Sequence, residues 1–453
     1  MKQSSKKSLG KVEQSNKKSL GKVEHILEVI KGCRQCGKTY SVQKFAQDNY
    51  KHVVYLNFML NPDYALAFEG SKAVDDIVIN ISAMIAGSVF EPQQTCLILD
   101  EIQECPAART ALKFFKMDGR YDIIATGSLL GVRGYGTHSN KHNEENGKTS
   151  IPVGYETIVD MYPLDFEEFL WANGITPLII NKIKECLDKE KPVPEALHQR
   201  FRQLILQYTV VGGMPAVVNL FVEKHDIGRV LLEQRNIIAE YEDDMIKYAN
   251  DADKSKIREC FESIPQQLSK ENKKFQYTVV RKNSKASQYK GSLQWIEDAG
   301  IIKRCYNLNI TELPLDGNSI PESFKVYMAD TGLFISMLED GTQFDILQGN
   351  LYGYKGAIFE NLIADIFTKM KRKLYYFRKD TGLEVDFVMR YKGECVLVEV
   401  KAKDGNTKST KTVLDHPDKY HVYHAIKLGD YNVGRKDALL TLPLYMAFLL
   451  KEM

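Results

Sequence analysis

Apolar residues in the first third of the chain fall in short runs separated by helical stretches. His25–Lys31 (HILEVIK), His52–Phe58 (HVVYLNF), Thr95–Asp100 and Tyr121–Ala125 each read as a strand, and Tyr40–Asn49 reads as a helix after the first. Consecutive apolar positions suit strands covered on both faces. The alternation of strand and helix from 25 to about 165 predicts a mostly parallel sheet with helices on both sides. Within that region, Gly134–Ser150 has almost no apolar residue and reads as a mobile loop.

Helical spacing dominates from 166 to about 250, broken only at Val210–Pro215 (VVGGMP). Asp165 precedes this region as an N-cap, with Glu167 and Glu168 in the first turn. The acidic run Tyr241–Met245 reads as a solvated helix face. Beyond 251, helical segments lead into Ala286–Gly300, and a strand starts at Ile301. A helix ending in glycine before a short strand fits a winged-helix-like module. Lys270–Lys290 is rich in Lys and Arg, with Phe275, Tyr277 and Tyr289 interleaved. That composition suits phosphate contact with base stacking, and equally an ordinary basic surface. From 341 onward an amphipathic helix begins near Gly356, followed by strands at Leu374–Phe377, Glu384–Met389 and Glu394–Val400. At the other end, Lys6–Glu13 (KKSLGKVE) recurs as Lys17–Glu24, and residues 1–24 read as a disordered basic tail carrying a duplication.

Composition adds bounds. The 453 residues suggest about three domains. At 44% hydrophobic and 26% charged, the chain can bury sizeable cores. A net charge of +2 excludes a global polyanion-binding signature, so any nucleic-acid contact must come from local patches. No apolar run reaches membrane-spanning length and the N-terminus lacks a secretory signal, so a cytoplasmic location is expected, without membrane association. Most of the eight cysteines sit singly in apolar segments, as reduced core residues do. Cys33 and Cys36 form C-x-x-C without a downstream pair, which argues against zinc.

The densest chemistry is Gly32-Cys33-Arg34-Gln35-Cys36-Gly37-Lys38-Thr39, which satisfies G-x-x-x-x-G-K-[ST]. In such a loop, backbone N–H groups from Gly32 to Thr39 point at phosphate oxygens, Lys38 adds charge near the β/γ-phosphates, and Thr39 offers a hydroxyl to Mg²⁺. The strand Thr95–Leu99 ends in Asp100 and Glu101. Asp100 is placed to hold Mg²⁺ through water and Glu101 to polarise the attacking water; alone, the pair also reads as a strand ending in solvated acids. Thr126, in Thr126-Gly127-Ser128, is a candidate γ-phosphate sensor or simply a turn residue. These features predict ATP and Mg²⁺ as cofactors. A second constellation lies near the C-terminus. Glu399 and Lys401 share a strand face, and Asp386 lies on the neighbouring strand. With Glu360 on the preceding helix, Asp386 and Glu399 are candidate ligands of a second divalent cation, and Lys401 a charge-stabilising group for phosphodiester hydrolysis.

The ordered set comprises Gly32–Thr39, Leu99–Gln103 (LDEIQ), Thr126–Ser128, Ile151–Gly154, Tyr162–Leu164 with Phe166–Phe169, Gly212–Pro215, Asp330–Leu333, Gly356–Glu360, Glu384–Phe387 and Glu399–Lys401. As a set it resembles a prokaryotic family of AAA-type ATPases whose C-terminal half is an uncharacterised domain related to PD-(D/E)xK nucleases. The resemblance implies a multi-domain α/β protein. Its parts are an AAA-type P-loop ATPase core over 25–165, a helical segment over 166–250, a winged-helix-like module over 251–340, and a restriction-endonuclease-like α/β domain over 341–453. Where the family has a helix before the first strand, this chain has its repeated tail. Arg133, Arg109 and Arg120 are the candidates for an arginine finger. Two functions follow as expectations. One is an ATPase coupled to a domain that binds or cleaves DNA, with Lys38 and Glu101 acting at one site and Glu360, Asp386, Glu399 and Lys401 at the other. The alternative is a nucleotide-dependent switch that engages DNA, a protein partner or a second copy without cutting.

Overall fold

Strands in the N-terminal region are short, apolar and covered on both sides. A computed structural model describes residues 26–128, 156–248, 251–270, 274–349, 355–401 and 407–451. The expected tail (1–24), the polar loop (134–150), Ile151–Gly154 and Arg133 lie outside them. The chain divides into two units at Tyr162/Pro163, with Ile246–Ala249 grouped with the first.

The first unit contains β1 (Leu27–Gly32), α1 (Lys38–Asn49), β2 (His52–Asn57), α2 (Val74–Met84), β3 (Thr95–Asp100), α3 (Pro106–Asp118), β4 (Asp122–Ser128) and β5 (Thr157–Met161). The five strands form one parallel sheet in the order β2-β3-β4-β1-β5. All six residues of β3 are buried, as expected of an interior strand covered on both faces. One face packs Val29, Leu56, Leu97, Leu99 and Ile123 against residues of α2 and α3, including Ile77, Ile81, Ala108 and Leu112. The other packs Ile30, Cys96, Ile98 and Ile124 against Val42 and Ala46 of α1. Each such Leu or Ile contributes about 2 kcal/mol by leaving water. The expected strand–loop–helix order therefore holds, and β4 intervenes between the strand that feeds the phosphate loop and the strand that ends in Asp100.

The second unit begins with a helical run: α4 (Phe166–Ala172), α5 (Pro177–Asp188), α6 (Glu195–Val211), α7 (Pro215–Lys224), α8 (Ile227–Tyr248), α9 (Asp251–Glu262), α10 (Ile264–Ser269), α11 (Tyr277–Val280) and α12 (Ala286–Asp298). Asp165 caps α4 as its sequence position predicts: its carboxylate accepts from Glu168 N at 2.8 Å, and the Glu168 carboxylate accepts from Asp165 N at 3.0 Å. The helical run gives way to β6 (Ile302–Leu308), β7 (Ser319–Met328), α13 (Thr331–Ser336), α14 (Thr342–Leu347) and α15 (Lys355–Lys369). The chain closes with β8 (Leu374–Arg378), β9 (Glu384–Tyr391), β10 (Glu394–Lys401), α16 (Lys408–Leu414), α17 (Pro417–Tyr420), β11 (His424–Gly429), β12 (Gly434–Lys436) and β13 (Leu439–Pro443).

One mixed sheet, β12-β13-β11-β10-β9-β8-β6-β7, runs through this unit. The strand expected after Gly300 is present as β6, and β6 pairs antiparallel with β7. Its other edge pairs in parallel with β8, from Cys305↔Leu374 to Leu308↔Phe377. The sheet thus crosses the boundary expected at 340. A β6–β7 hairpin alone leaves a row of N–H and C=O groups unpaired, and β8 satisfies them.

Three motifs of the ordered set meet in a buried polar node of the second unit. Gly213 N donates to Asp330 Oδ2 at 2.7 Å, and Leu164 N donates to Gly213 O at 2.7 Å. Lys369, on α15, lies 2.8 Å from Asp365 and 3.5 Å from Asp330, and donates to the Tyr208 hydroxyl at 2.8 Å. A Cβ on Gly213 would stand 2.1 Å from Leu164 O, so only glycine permits this approach.

Candidate functional site

The phosphate loop follows from local backbone geometry. Gly32 closes β1 where the main chain of β5 passes close by; a Cβ there would sit 2.5 Å from Met161 O. Gln35 (φ 60°) and Gly37 (φ 91°) are left-handed, and the second turns the chain into α1. No side chain caps α1 at Gly37. Its first N–H groups and the positive end of its dipole are therefore directed into the loop, the arrangement that binds phosphate. Arg34 is exposed, whereas Cys33 and Cys36 are buried. The Cys33 thiol hydrogen-bonds Cys36 and Lys38 adds its charge; together they outweigh burial and bring the Cys36 thiol down to about 7. Lys38 Nζ folds back over the loop, donating to Gly32 O at 3.1 Å and Cys33 O at 2.9 Å.

Asp100 is the hub of this site. It is 2% exposed and accepts from side chains on α1, β2 and β4. The Thr39 hydroxyl donates to Oδ2 at 3.0 Å, Tyr55 OH at 2.6 Å and Asn57 Nδ2 at 3.0 Å, while the Thr126 hydroxyl donates to Oδ1. Glu101 N completes the set at 3.2 Å. The interposed β4 brings Thr126 here, between the loop strand and β3. Thr39 and Asp100 together present hard oxygen donors beside the phosphate loop, a donor set that fits Mg²⁺. Glu101 follows in a left-handed conformation (φ 54°, ψ 48°), and its carboxylate accepts from Gln103 Nε2 at 2.6 Å. Left-handed backbone at a non-glycine residue beside a phosphate loop is the kind of local strain that clusters at functional sites. Tyr55 and Asn57 are members of the site that sequence reading missed. The signal was available, since both occupy the last positions of the apolar strand next in order.

Two of the three arginine-finger candidates lie among the described residues, and both are ion-paired within this unit. Arg109 pairs with Glu156 at 3.0 Å. Arg120 pairs with Asp118 and Asp75 before the start of β4, the end of the parallel sheet away from the loop.

The C-terminal constellation also assembles, on α15, β9 and β10. Lys401 Nζ lies 2.6 Å from Glu399 Oε1 and 3.9 Å from Asp386 Oδ2. Glu399 Oε2 accepts from the Thr410 hydroxyl at 2.7 Å, and Asp386 Oδ2 accepts from Val400 N at 2.8 Å. Glu360 accepts from Tyr327 OH at 3.1 Å. Burial, with the neighbouring Glu360 and Glu399 carboxylates, pushes the Asp386 carboxyl up to about 7. Sequence reading missed a further cation. Lys325 of β7 is 1% exposed, with Nζ 2.8 Å from Glu384 Oε1, 3.7 Å from Glu360 Oε2 and 4.9 Å from the centre of the Tyr376 ring. A lysine inside the apolar run Phe324–Met328 was the available signal.

The basic segment differs from its expectation. Lys274, Arg281, Lys282, Lys285 and Lys290 are exposed, but the aromatics between them face inward. Phe275 stacks on Phe324 with ring centres 5.8 Å apart, Tyr277 packs edge-on against Phe275, and buried Tyr289 hydrogen-bonds Glu259. Core packing against β7 and α9 has claimed the rings, which removes the base-stacking part of that expectation.

Comparison with known proteins agrees for the first unit. Residues 25–170 match the family described as an AAA domain. Residues 202–343 and 355–445 match two families described only as domains of unknown function, DUF8612 and DUF4143. No curated protein matches the chain. Among solved structures, the Walker-type ATPase PABY2304 of Pyrococcus abyssi aligns with a TM-score of 0.37 at 13% identity, covering 73% of this chain and 94% of that one. AMPPCP-bound DnaA from Aquifex aeolicus aligns with a TM-score of 0.27 at 13% identity, covering 65% and 89%. Superpositions this loose say nothing about substrate or assembly. The phosphate loop, the Asp100 hub and the family match together identify residues 25–170 as a P-loop domain of the AAA ATPase type.

Proposed function

We propose that this chain binds ATP with Mg²⁺ and hydrolyses it, and that the nucleotide state governs how the second unit engages DNA. The observation that carries the hydrolytic part is Asp100 receiving Thr39 and Thr126, which joins the phosphate loop to the ends of β3 and β4. In this reading the loop N–H groups and Lys38 hold the phosphates, exchanging the Gly32 and Cys33 carbonyls for phosphate oxygens. Thr39 and Asp100 hold Mg²⁺, which supplies charge neutralisation for the departing phosphate oxygens. Glu101 orients and polarises water, and Thr126 contacts the γ-phosphate side. Phosphate release from ATP by the full chain, lost in Glu101→Gln, tests this; equal turnover in that variant would count against it.

DNA contact is supported by the exposed cations Lys274, Arg281, Lys282, Lys285 and Lys290, a basic stretch suited to backbone phosphates and therefore to sequence-tolerant binding. Cleavage is the competing reading, favoured by the convergence of Glu360, Asp386, Glu399 and Lys401. Labelled single-stranded, duplex and branched DNA, incubated with the chain and Mg²⁺ or Mn²⁺ with and without ATP, separates the two. Retention without cutting supports the switch; cutting that disappears in Asp386→Ala supports a nuclease.

A further inference from the structure

The carboxylates Glu360, Glu384, Asp386 and Glu399 line one side of the sheet end in the second unit, where a nuclease-like motif calls for a divalent cation. Their surroundings do not fit one. Lys325 projects from β7 into the cluster with an ammonium that is 1% exposed, 2.8 Å from Glu384 and 3.7 Å from Glu360. The contact is ionic rather than a well-directed hydrogen bond. Lys401 places a second cation 2.6 Å from Glu399 Oε1, and the Thr410 hydroxyl donates to Oε2 at 2.7 Å. Arg378 adds a third cation, 3.6 Å from Glu384. Four carboxylates thus face three fixed cations, and the charge that would attract a divalent ion is largely spent. Among the described residues, no group of three or more His, Cys, Asp or Glu is arranged to hold a metal.

We infer that Lys325 is the resident cation of this cluster, standing where a metal-dependent nuclease would carry its ion, and that the second unit keeps its nuclease-like frame as a metal-independent binding module. The Tyr376 ring beneath the ammonium and Tyr327 on Glu360 complete a closed setting for it. A permanent +1 charge 2.8 Å from Glu384 and 3.7 Å from Glu360 repels a second cation brought to those carboxylates. The inference concerns the second unit alone and survives if the ATPase reading fails.

The test is Mn²⁺ titration of the nucleotide-free full chain, followed by electron paramagnetic resonance. Wild-type binding is expected to be the same in Asp386→Asn and Glu399→Gln, because no ion sits there. Lys325→Met, which keeps the length of the side chain and removes the charge, is expected to gain an Asp386-dependent Mn²⁺ site that the wild type lacks. That site should vanish in Lys325→Met/Asp386→Asn. Wild-type Mn²⁺ binding abolished by Asp386→Asn would overturn the inference, as would a folded Lys325→Met protein that gains no Asp386-dependent site. If Lys325→Met fails to fold, the comparison of wild type with Asp386→Asn decides alone.

Discussion

Replacing Asp100 by asparagine removes one charge and almost no volume, and the structure says what that does. The carboxylate accepts on both oxygens: Thr39, Tyr55 and Asn57 on one, Thr126 and Glu101 N on the other. An amide presents one oxygen and one NH₂. The three hydroxyls can rotate to accept from the NH₂, but Asn57 Nδ2 and Glu101 N cannot. Whichever way the amide turns, one half-buried N–H donor meets another donor. Stranding it costs about 1–3 kcal/mol, and the lost charge-assisted bonds bring the expected fall in first-unit stability to roughly 2–4 kcal/mol. Hydrolysis should fall further than binding, because Asp100 is one of the two side chains proposed to orient Mg²⁺. A drop on the order of 10²–10³-fold in turnover corresponds to about 3–4 kcal/mol of transition-state stabilisation. The assay is phosphate release at saturating ATP and Mg²⁺, at a temperature where circular dichroism shows the variant folded. Binding of a fluorescent ATP analogue without metal should be nearly unchanged, since Lys38 and the loop are untouched. A folded Asp100→Asn protein turning over within about threefold of wild type would refute the hub assignment.

Three further outcomes are expected. Lys38→Ala should weaken nucleotide binding on the order of a hundredfold, about 2.7 kcal/mol, by equilibrium titration; retained affinity would sink the phosphate-loop assignment. Gly213→Ala should destabilise the second unit by about 3 kcal/mol, because the new methyl meets Leu164 O at 2.1 Å and crowds Lys369. Both tryptophans, Trp171 and Trp295, lie in that unit, so their fluorescence in urea reports it, and a loss under about 1 kcal/mol would contradict the packing. Burial, aided by Arg202, holds the His198 imidazole below its usual range, while His198 Nδ1 pairs with Tyr445 OH at 2.8 Å. Above pH 6.5 folded and unfolded chains are both neutral there and the contribution to stability is complete. As pH falls below 6.5 the unfolded chain takes up a proton that the folded chain resists, so stability declines until pH passes the folded value. His198→Gln should flatten that decline in urea titrations between pH 7 and 5; an unchanged slope would remove His198 as its source.

The chemistry of the first unit was legible because it is made locally. Eight contiguous residues build a loop whose backbone N–H groups are proposed to hold the phosphates, and a strand that ends in two acids puts both at the carboxyl edge of a parallel sheet whatever its order. Glu399 and Lys401 were legible for the same reason, since two residues along a strand share a face. Asp165 announced its helix through side-chain acceptors, its own and that of Glu168, for backbone N–H groups within one turn. The partners of these residues were not legible. Tyr55 and Asn57 reach Asp100 only because β2 lies beside β3, and Thr126 reaches it only because β4 inserts between β1 and β3.

The second unit shows the division more sharply. Sequence by itself determined the helix after Lys285, the strand after Gly300, the break at Gly212–Pro215 and the carboxylates of the C-terminal motif, because periodicity and turn residues act over a few positions. Tertiary structure alone decided that β6 borrows β8 across the expected boundary at 340, that Gly213 needs to be glycine because Leu164 O passes beside it, that Phe275 and Tyr289 face a core, and that Lys325 stands among four carboxylates. The physical reason is common to all of these. A strand's period specifies which face is buried but not which edge it pairs with, and ion pairs and close backbone approaches depend on that choice of neighbour.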